Sequence, residues 1–153
     1  MTNESGVLVI TELVDGKPTG LTAELLGVAR RLVKTLGGPV SAAVLGAGNK
    51  DSAAACITQG ADRVYVANHA LLVEYQGDAW LPAVVKITHE ACPAVILLGH
   101  TPSGADLAPR LAFRLQTAVA MDCVEAVADD DKLLLTRPCY GGNARETVSF
   151  NTG

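Results

Sequence analysis

Short unbroken apolar runs and longer stretches with an apolar residue at every third or fourth position follow one another along the chain. The runs at residues 6–13, 40–45, 63–66 and 95–98 have the length of strands; that at 6–13 suits a buried first strand and that at 95–98 a strand buried on both faces of a parallel sheet. Between them the spacing is helical. Leu25, Leu26, Ala29, Leu32, Val33 and Leu36 form one stripe, Arg30, Arg31 and Lys34 face water, and Thr22 is placed to cap the start. Gly37, Gly38 and Pro39 end that helix. A short helix capped by Asp51 or Ser52 runs towards Gly60, and one or two helical turns are expected at 69–75. A longer helix at 78–91 carries Trp80, Leu81, Val84, Val85 and Ile87, with Pro82 in its first turn. After the run at 95–98, which reads as the central strand, Leu107, Leu111 and Leu115 recur beside Ala108 and Ala112, a helix expected to begin near Asp106. Repeated β-then-α units call for right-handed crossovers. The expected fold class is α/β, a mostly parallel sheet with helices on both faces.

The rhythm changes after Gln116. Residues 121–128 read as a strand, the aspartates at 129–131 as a solvated turn, 132–139 as the hairpin return and 144–150 as a further alternating strand. Antiparallel strands therefore close the C-terminal end of what reads as a single domain over residues 1–153.

Composition sharpens this picture. With 49% hydrophobic and 18% charged residues and a mean hydropathy of +0.28, the chain is apolar for a globular protein. It needs a fully covered sheet or keeps an apolar face for a partner. A formal net charge of −4 without a basic run argues against nucleic acid and anionic membrane surfaces. The apolar runs are too short for membrane insertion, and the polar start MTNESG lacks the pattern of a secretory signal. Cys56, Cys92, Cys123 and Cys139 stand far apart without a CxxC pair. They suit isolated buried thiols in the cytoplasm rather than a zinc or dithiol motif.

Open α/β sheets bind ligands where a strand C-terminus feeds a helix N-terminus, which directs attention to the turn after residue 98. Gly99, Thr101, Ser103 and Gly104 could cradle a phosphate there, through glycine backbone and hydroxyl groups. Against this, no P-loop lysine follows, and a carboxylate at Asp106 would take the anion's place, so capping by Ser103 or Asp106 competes. Gly46-Ala47-Gly48 lacks the third glycine of a dinucleotide fingerprint, Asp51 standing in its position, and reads as an ordinary turn. His100, Ser103 and Asp106 are the ingredients of a hydrolase triad, but they crowd into one turn without a nucleophile elbow. His69 and His89 lack metal-ligand spacing and suit surface or capping roles. Neither catalytic nor metal residues are expected. The loop from Arg137 through Tyr140 and two glycines to Asn143 is richer than a hairpin needs, combining charge, aromatic hydroxyl, flexible backbone and amide.

Three stretches carry a resemblance. They are Gly104-Ala105-Asp106-Leu107-Ala108-Pro109-Arg110-Leu111-Ala112, Ala120-Met121-Asp122-Cys123, and Arg137-Pro138-Cys139-Tyr140-Gly141-Gly142-Asn143-Ala144. In this order and spacing, with the opening residues 7–12 and 21–29, the chain resembles the N-terminal domain of the electron transfer flavoprotein α subunit. The resemblance implies an adenine-nucleotide-hydrolase-like α/β fold and a heterodimer with a homologous β-type subunit. It further implies an FAD that carries electrons from dehydrogenases to an acceptor, and a chain that is an electron carrier component rather than an enzyme. In that family a second, C-terminal domain holds most of the FAD, and this chain ends before it. No cofactor is therefore expected on this chain alone, whose role would be scaffold and interface. Arg110, Arg137, Tyr140 and Asn143 are the residues expected at the partner or interdomain surface. A stand-alone nucleotide-binding module of the universal-stress type shares the fold class and is the alternative.

Overall fold

A computed structural model describes residues 4–130 and 132–150. The chain opens with β1 (Val7–Ile10), wholly buried, and turns through a short hairpin of β2 (Leu13–Val14) and β3 (Lys17–Pro18). Asp15 and Gly16 make that turn with positive φ. The helix α1 (Gly20–Leu36) is capped by Thr19 rather than Thr22: Thr19 Oγ1 accepts the Thr22 amide at 3.2 Å. Thr22 lies inside the helix, fully buried, where its hydroxyl donates to the Glu12 carbonyl and accepts the Glu12 amide.

Next come β4 (Val40–Gly46), α2 (Lys50–Thr58), β5 (Arg63–Asn68), a 3-10 turn (Ala70–Leu72) and α3 (Gly77–Ala91). Neither Asp51 nor Ser52 caps α2, which starts earlier, after Asn49. Ser52 instead donates its hydroxyl to the Gly16 carbonyl and ties α2 to the hairpin. His69 caps the 3-10 turn, its Nδ1 accepting the Leu71 amide. Because α3 already starts at Gly77, Pro82 lies beyond the first turn and removes a helical hydrogen bond. The parallel part ends with β6 (Val95–Leu97) and α4 (Pro102–Leu115).

The four parallel strands lie in the order β5-β4-β1-β6, with Val7 opposite both Val40 and Val95. Strand alternation divides the core in two. Val7, Val9, Val40, Ala42 and Val44 pack with Leu26, Ala29 and Leu32 of α1 and Cys56 of α2. Leu8, Ile10, Ala43 and Leu45 pack on the other face with Trp80, Val84, Ile87, Leu107 and Leu111 of α3 and α4. The sheet is thus doubly wound, as expected. One placement differs: β6, expected to be central and buried on both faces, is the outer strand and only half-buried, paired among the described strands with β1.

After α4 the chain builds an antiparallel sheet of β7 (Glu125–Asp129), β8 (Lys132–Cys139) and β9 (Ala144–Ser149) in that order. The strand expected from residue 121 begins only at Glu125, because Asp122 takes a φ of 55° and turns the chain. The turn between β7 and β8 stands where expected, with Asp131 outside the described residues. Ala126, Ala128 and Leu133 pack against the core around α1. β7 pairs with residues 132–136 alone, so residues 137–139 and 144–146 continue past it as a two-stranded arm. A 3-10 turn (Tyr140–Gly142) closes that arm. No helix among the described residues is long and apolar enough to cross a membrane.

Candidate functional site

Between β1 and β6 the connections leave to opposite faces of the sheet, β1 into α1 and β6 into α4. This is the switch point at which such sheets open a crevice beyond their carboxyl ends. A cleft of about 510 Å³ lies there. Its floor is apolar, with Ile10, Leu45, Leu98, Leu107 and Trp80, and Glu12, Asp15, Asn49, Glu74 and Ser103 supply its polar lining. Lysine, arginine and histidine are absent from the lining among the described residues.

The turn into α4 is shorter than the sequence suggested. The helix starts at Pro102, and its cap is Thr101, whose Oγ1 accepts the Gly104 amide at 3.1 Å. Capping therefore falls to neither Ser103 nor Asp106. A Cβ on Gly104 would stand 1.8 Å from the Gly99 carbonyl oxygen, and one on Gly99 would stand 2.4 Å from Leu21 Cδ2. The close backbone approach that these glycines permit is to each other and to α1.

Gly99, Thr101, Ser103 and Gly104 are thus brought together, but little is left in the first turn for an anion. Pro102 has no N–H, the Gly104 amide goes to the Thr101 hydroxyl oxygen and the Ala105 amide to the Thr101 carbonyl. Thr101 in turn donates its hydroxyl to Glu12 Oε1. A carboxylate from the end of β1 holds the electrostatically favoured place at the helix N-terminus. Asp106, the carboxylate expected in that place, lies further along α4 and is engaged by Tyr75 and Arg110 instead.

Asp106 accepts the Tyr75 hydroxyl at 2.6 Å and Arg110 Nε at 3.1 Å, while Arg110 also stands 3.8 Å from Asp78 on α3. Tyr75 packs edge-on against Trp80, ring centroids 5.4 Å apart. The Tyr75 hydrogen bond, with help from Arg110, holds the Asp106 carboxyl below its ordinary range. Burial and the neighbouring carboxylate push Tyr75 up to about 12. The signs follow from linkage. The lowered carboxyl stabilises the fold at neutral pH, a contribution lost as pH falls through the folded-state value. The raised phenol contributes below its ordinary value of about 10 and loses that contribution as pH rises towards 12. Tyr75→Phe is expected to flatten the pH dependence of unfolding free energy at both ends; unchanged acid and alkaline limbs would show the pair to be uncoupled from folding.

The remaining candidates are dispersed. His100 Nε2 lies 3.8 Å from Asp122 Oδ1, so His100 and Asp106 have separate partners and form no relay with Ser103. No metal-binding group of histidine, cysteine and carboxylate side chains occurs among the described residues. On the arm, Arg137 Nε donates to Glu146 Oε1 across β8 and β9. Tyr140 is 84% exposed at the tip, with Gly141 and Gly142 beside it at positive φ and Asn143 closing the turn through its amide. Glu12 and Tyr75 were not singled out from the sequence. Glu12 had a readable signal, a carboxylate directly after the first buried strand, where a doubly wound sheet turns residues towards its crevice.

The fold and site define an open, doubly wound α/β domain with an acidic switch-point cleft and a projecting antiparallel arm. Residues 7–153 match the family model described as the electron transfer flavoprotein domain, and the chain belongs to that family. It is 40% identical over 140 residues to an electron transfer flavoprotein subunit alpha from Megasphaera elsdenii, covering 90% of this chain and 41% of the relative. A subunit alpha from Thermoanaerobacterium thermosaccharolyticum is 37% identical over 97% of this chain and 45% of its own length. A lactate dehydrogenase (NAD(+),ferredoxin) subunit LctC from Acetobacterium woodii is 30% identical over 96% of this chain and 36% of its own. The chain thus spans less than half the length of these curated relatives.

The family name implies a flavin, and FAD carries a diphosphate. The cleft does not fit one: its charged lining is acidic, and Glu12 and Thr101 already use the first turn of α4.

Proposed function

We propose that this chain serves as the N-terminal domain of an electron transfer flavoprotein α subunit, a scaffold and interface in a heterodimer with a β-type subunit. The FAD belongs to the complete complex, held largely by a further α-subunit domain, and there carries electrons from dehydrogenases to an acceptor. This chain is a carrier component and no catalyst by itself. The observation that carries the reading is the family match over nearly the whole chain, together with a switch-point cleft unsuited to phosphate. That cleft speaks equally against the universal-stress alternative. Free, isolated cysteines suit a cytoplasmic setting.

In this reading the arm is the docking element. An exposed aromatic followed by two glycines can insert into a partner, and Arg137 and Asn143 add directional hydrogen bonds at its base. Arg110 braces α4 against α3 and presents a charge to the neighbouring domain. Co-expressed with a β-type subunit and the FAD domain, the chain is expected to co-purify as a yellow complex and to be colourless alone. Tyr140→Ala or Arg137→Ala should weaken assembly by about tenfold, the loss typical of one interface anchor. Failure of the native chain to co-purify, or full assembly by both variants, would remove the proposal.

A further inference from the structure

We propose that Trp80, Tyr75 and Asp106 form a relay for electron holes, which carries an oxidising equivalent left in the core by a small radical oxidant out to the surface. The three stand in a row. The ring of Trp80 meets that of Tyr75 edge-on, centroids 5.4 Å apart, and the Tyr75 hydroxyl donates to Asp106 Oδ2 at 2.6 Å. Contact between the rings permits direct electron transfer, and the short charge-assisted hydrogen bond sets a base against the phenolic proton before any reaction begins. Of the three tyrosines, only Tyr75 has a carboxylate as hydrogen-bond partner among the described residues.

A separate observation comes from the indole N–H of Trp80, which has neither a hydrogen-bond partner nor contact with solvent, the one such buried side-chain atom among the described residues. Loss of one electron leaves Trp80 as a radical cation. Such a cation is ordinarily disarmed when its N–H proton passes to water or to an acceptor. Here the proton has nowhere to go, so the cation keeps its oxidising power. One electron then passes from Tyr75 to Trp80 and restores the neutral indole. In the same step the Tyr75 O–H bond breaks and its proton forms a new O–H bond on Asp106. Trp80 radical cation, phenol and carboxylate thus become indole, tyrosyl radical and carboxylic acid, with charge and electrons in balance. Tyr75 is half-buried and the Asp106 side chain is 41% exposed, so a soluble thiol can return the hydrogen atom at the surface. The relay lies apart from the arm and is independent of the heterodimer reading.

Pulse radiolysis of the native chain in azide solution supplies the azide radical, a small one-electron oxidant that takes its electron from tryptophan in preference to tyrosine. The chain has a single tryptophan, so the tryptophan radical's absorption reports Trp80 alone. That absorption is expected to decay as the tyrosyl radical's rises, at a rate independent of protein concentration. Tyr75→Phe should abolish the phase although Tyr65 and Tyr140 remain. Asp106→Asn keeps a hydrogen-bond acceptor but removes the base, and should slow the phase by about a hundredfold, the lower end of what a positioned proton acceptor contributes. A rate that rises in proportion to protein concentration, or a phase that runs at the native rate in either variant, would overturn the proposal.

Discussion

Gly104→Ala is expected to lower the stability of the fold by about 3 kcal/mol, at the upper end of what an overpacked core site costs. Local propensity points the other way, since alanine is favoured over glycine within a helix by about 1 kcal/mol. The contact decides. The added Cβ would stand 1.8 Å from the Gly99 carbonyl oxygen and 3.0 Å from its carbon, both backbone atoms that no side-chain rotation can move. Relief requires α4 to retreat from the end of β6, which breaks the Thr101 cap and its link to Glu12 in the same step. Gly27→Ala on α1 is the matched control. Its Cβ would meet Arg31 Nη1 at 4.0 Å and nothing nearer, so it should raise stability by up to about 1 kcal/mol. Urea unfolding of the two variants should therefore move the midpoint in opposite directions. A Gly104→Ala protein as stable as the parent would mean that the junction is loose.

The same junction shows what the sequence could and could not deliver. The apolar runs and the four-residue leucine spacing name β1, β4, β6, α1 and α4, because burial imposes those periods directly on composition. They leave open which strand is central. Val95, Ile96 and Leu97 read as doubly buried, yet the order β5-β4-β1-β6 puts them at the edge, a consequence of pairing that no local pattern records. Helix starts went wrong for a related reason. Thr19, Asn49 and Thr101 precede their helices, whereas Thr22, Ser52 and Asp106 were the polar residues that stood out beside the apolar stripes. Each of these three is instead held by a distant segment: Thr22 by Glu12, Ser52 by Gly16 and Asp106 by Tyr75. Long-range polar pairing was likewise invisible at the cleft. Its residues could be placed at the turn, but the carboxylate that holds the anion's position lies 89 residues away in sequence.

Leu26→Ala is the second large effect, a loss of about 3 to 4 kcal/mol, within the range for a leucine truncated in a core that cannot collapse around the gap. Leu26 is wholly buried on α1, among Val7, Val9 and Val40 of the parallel sheet. The same core takes Ala126, Ala128 and Leu133 from the antiparallel sheet, so α1 is the shared layer between the two. Alanine keeps the helix itself intact, and the loss is therefore one of packing rather than of helix formation. Because both sheets rest on that layer, amide probes in β1 and β8 should unfold at one lowered midpoint. Separate transitions would show that the antiparallel sheet holds together without α1. Leu71→Ala, at a position 58% exposed, should change stability by less than about 0.5 kcal/mol. A common midpoint also bears on assembly: an arm carried by β8 and β9 keeps its direction only while α1 holds the sheet behind it. Leu26→Ala should then weaken docking of the β-type subunit even though the arm's own residues are untouched.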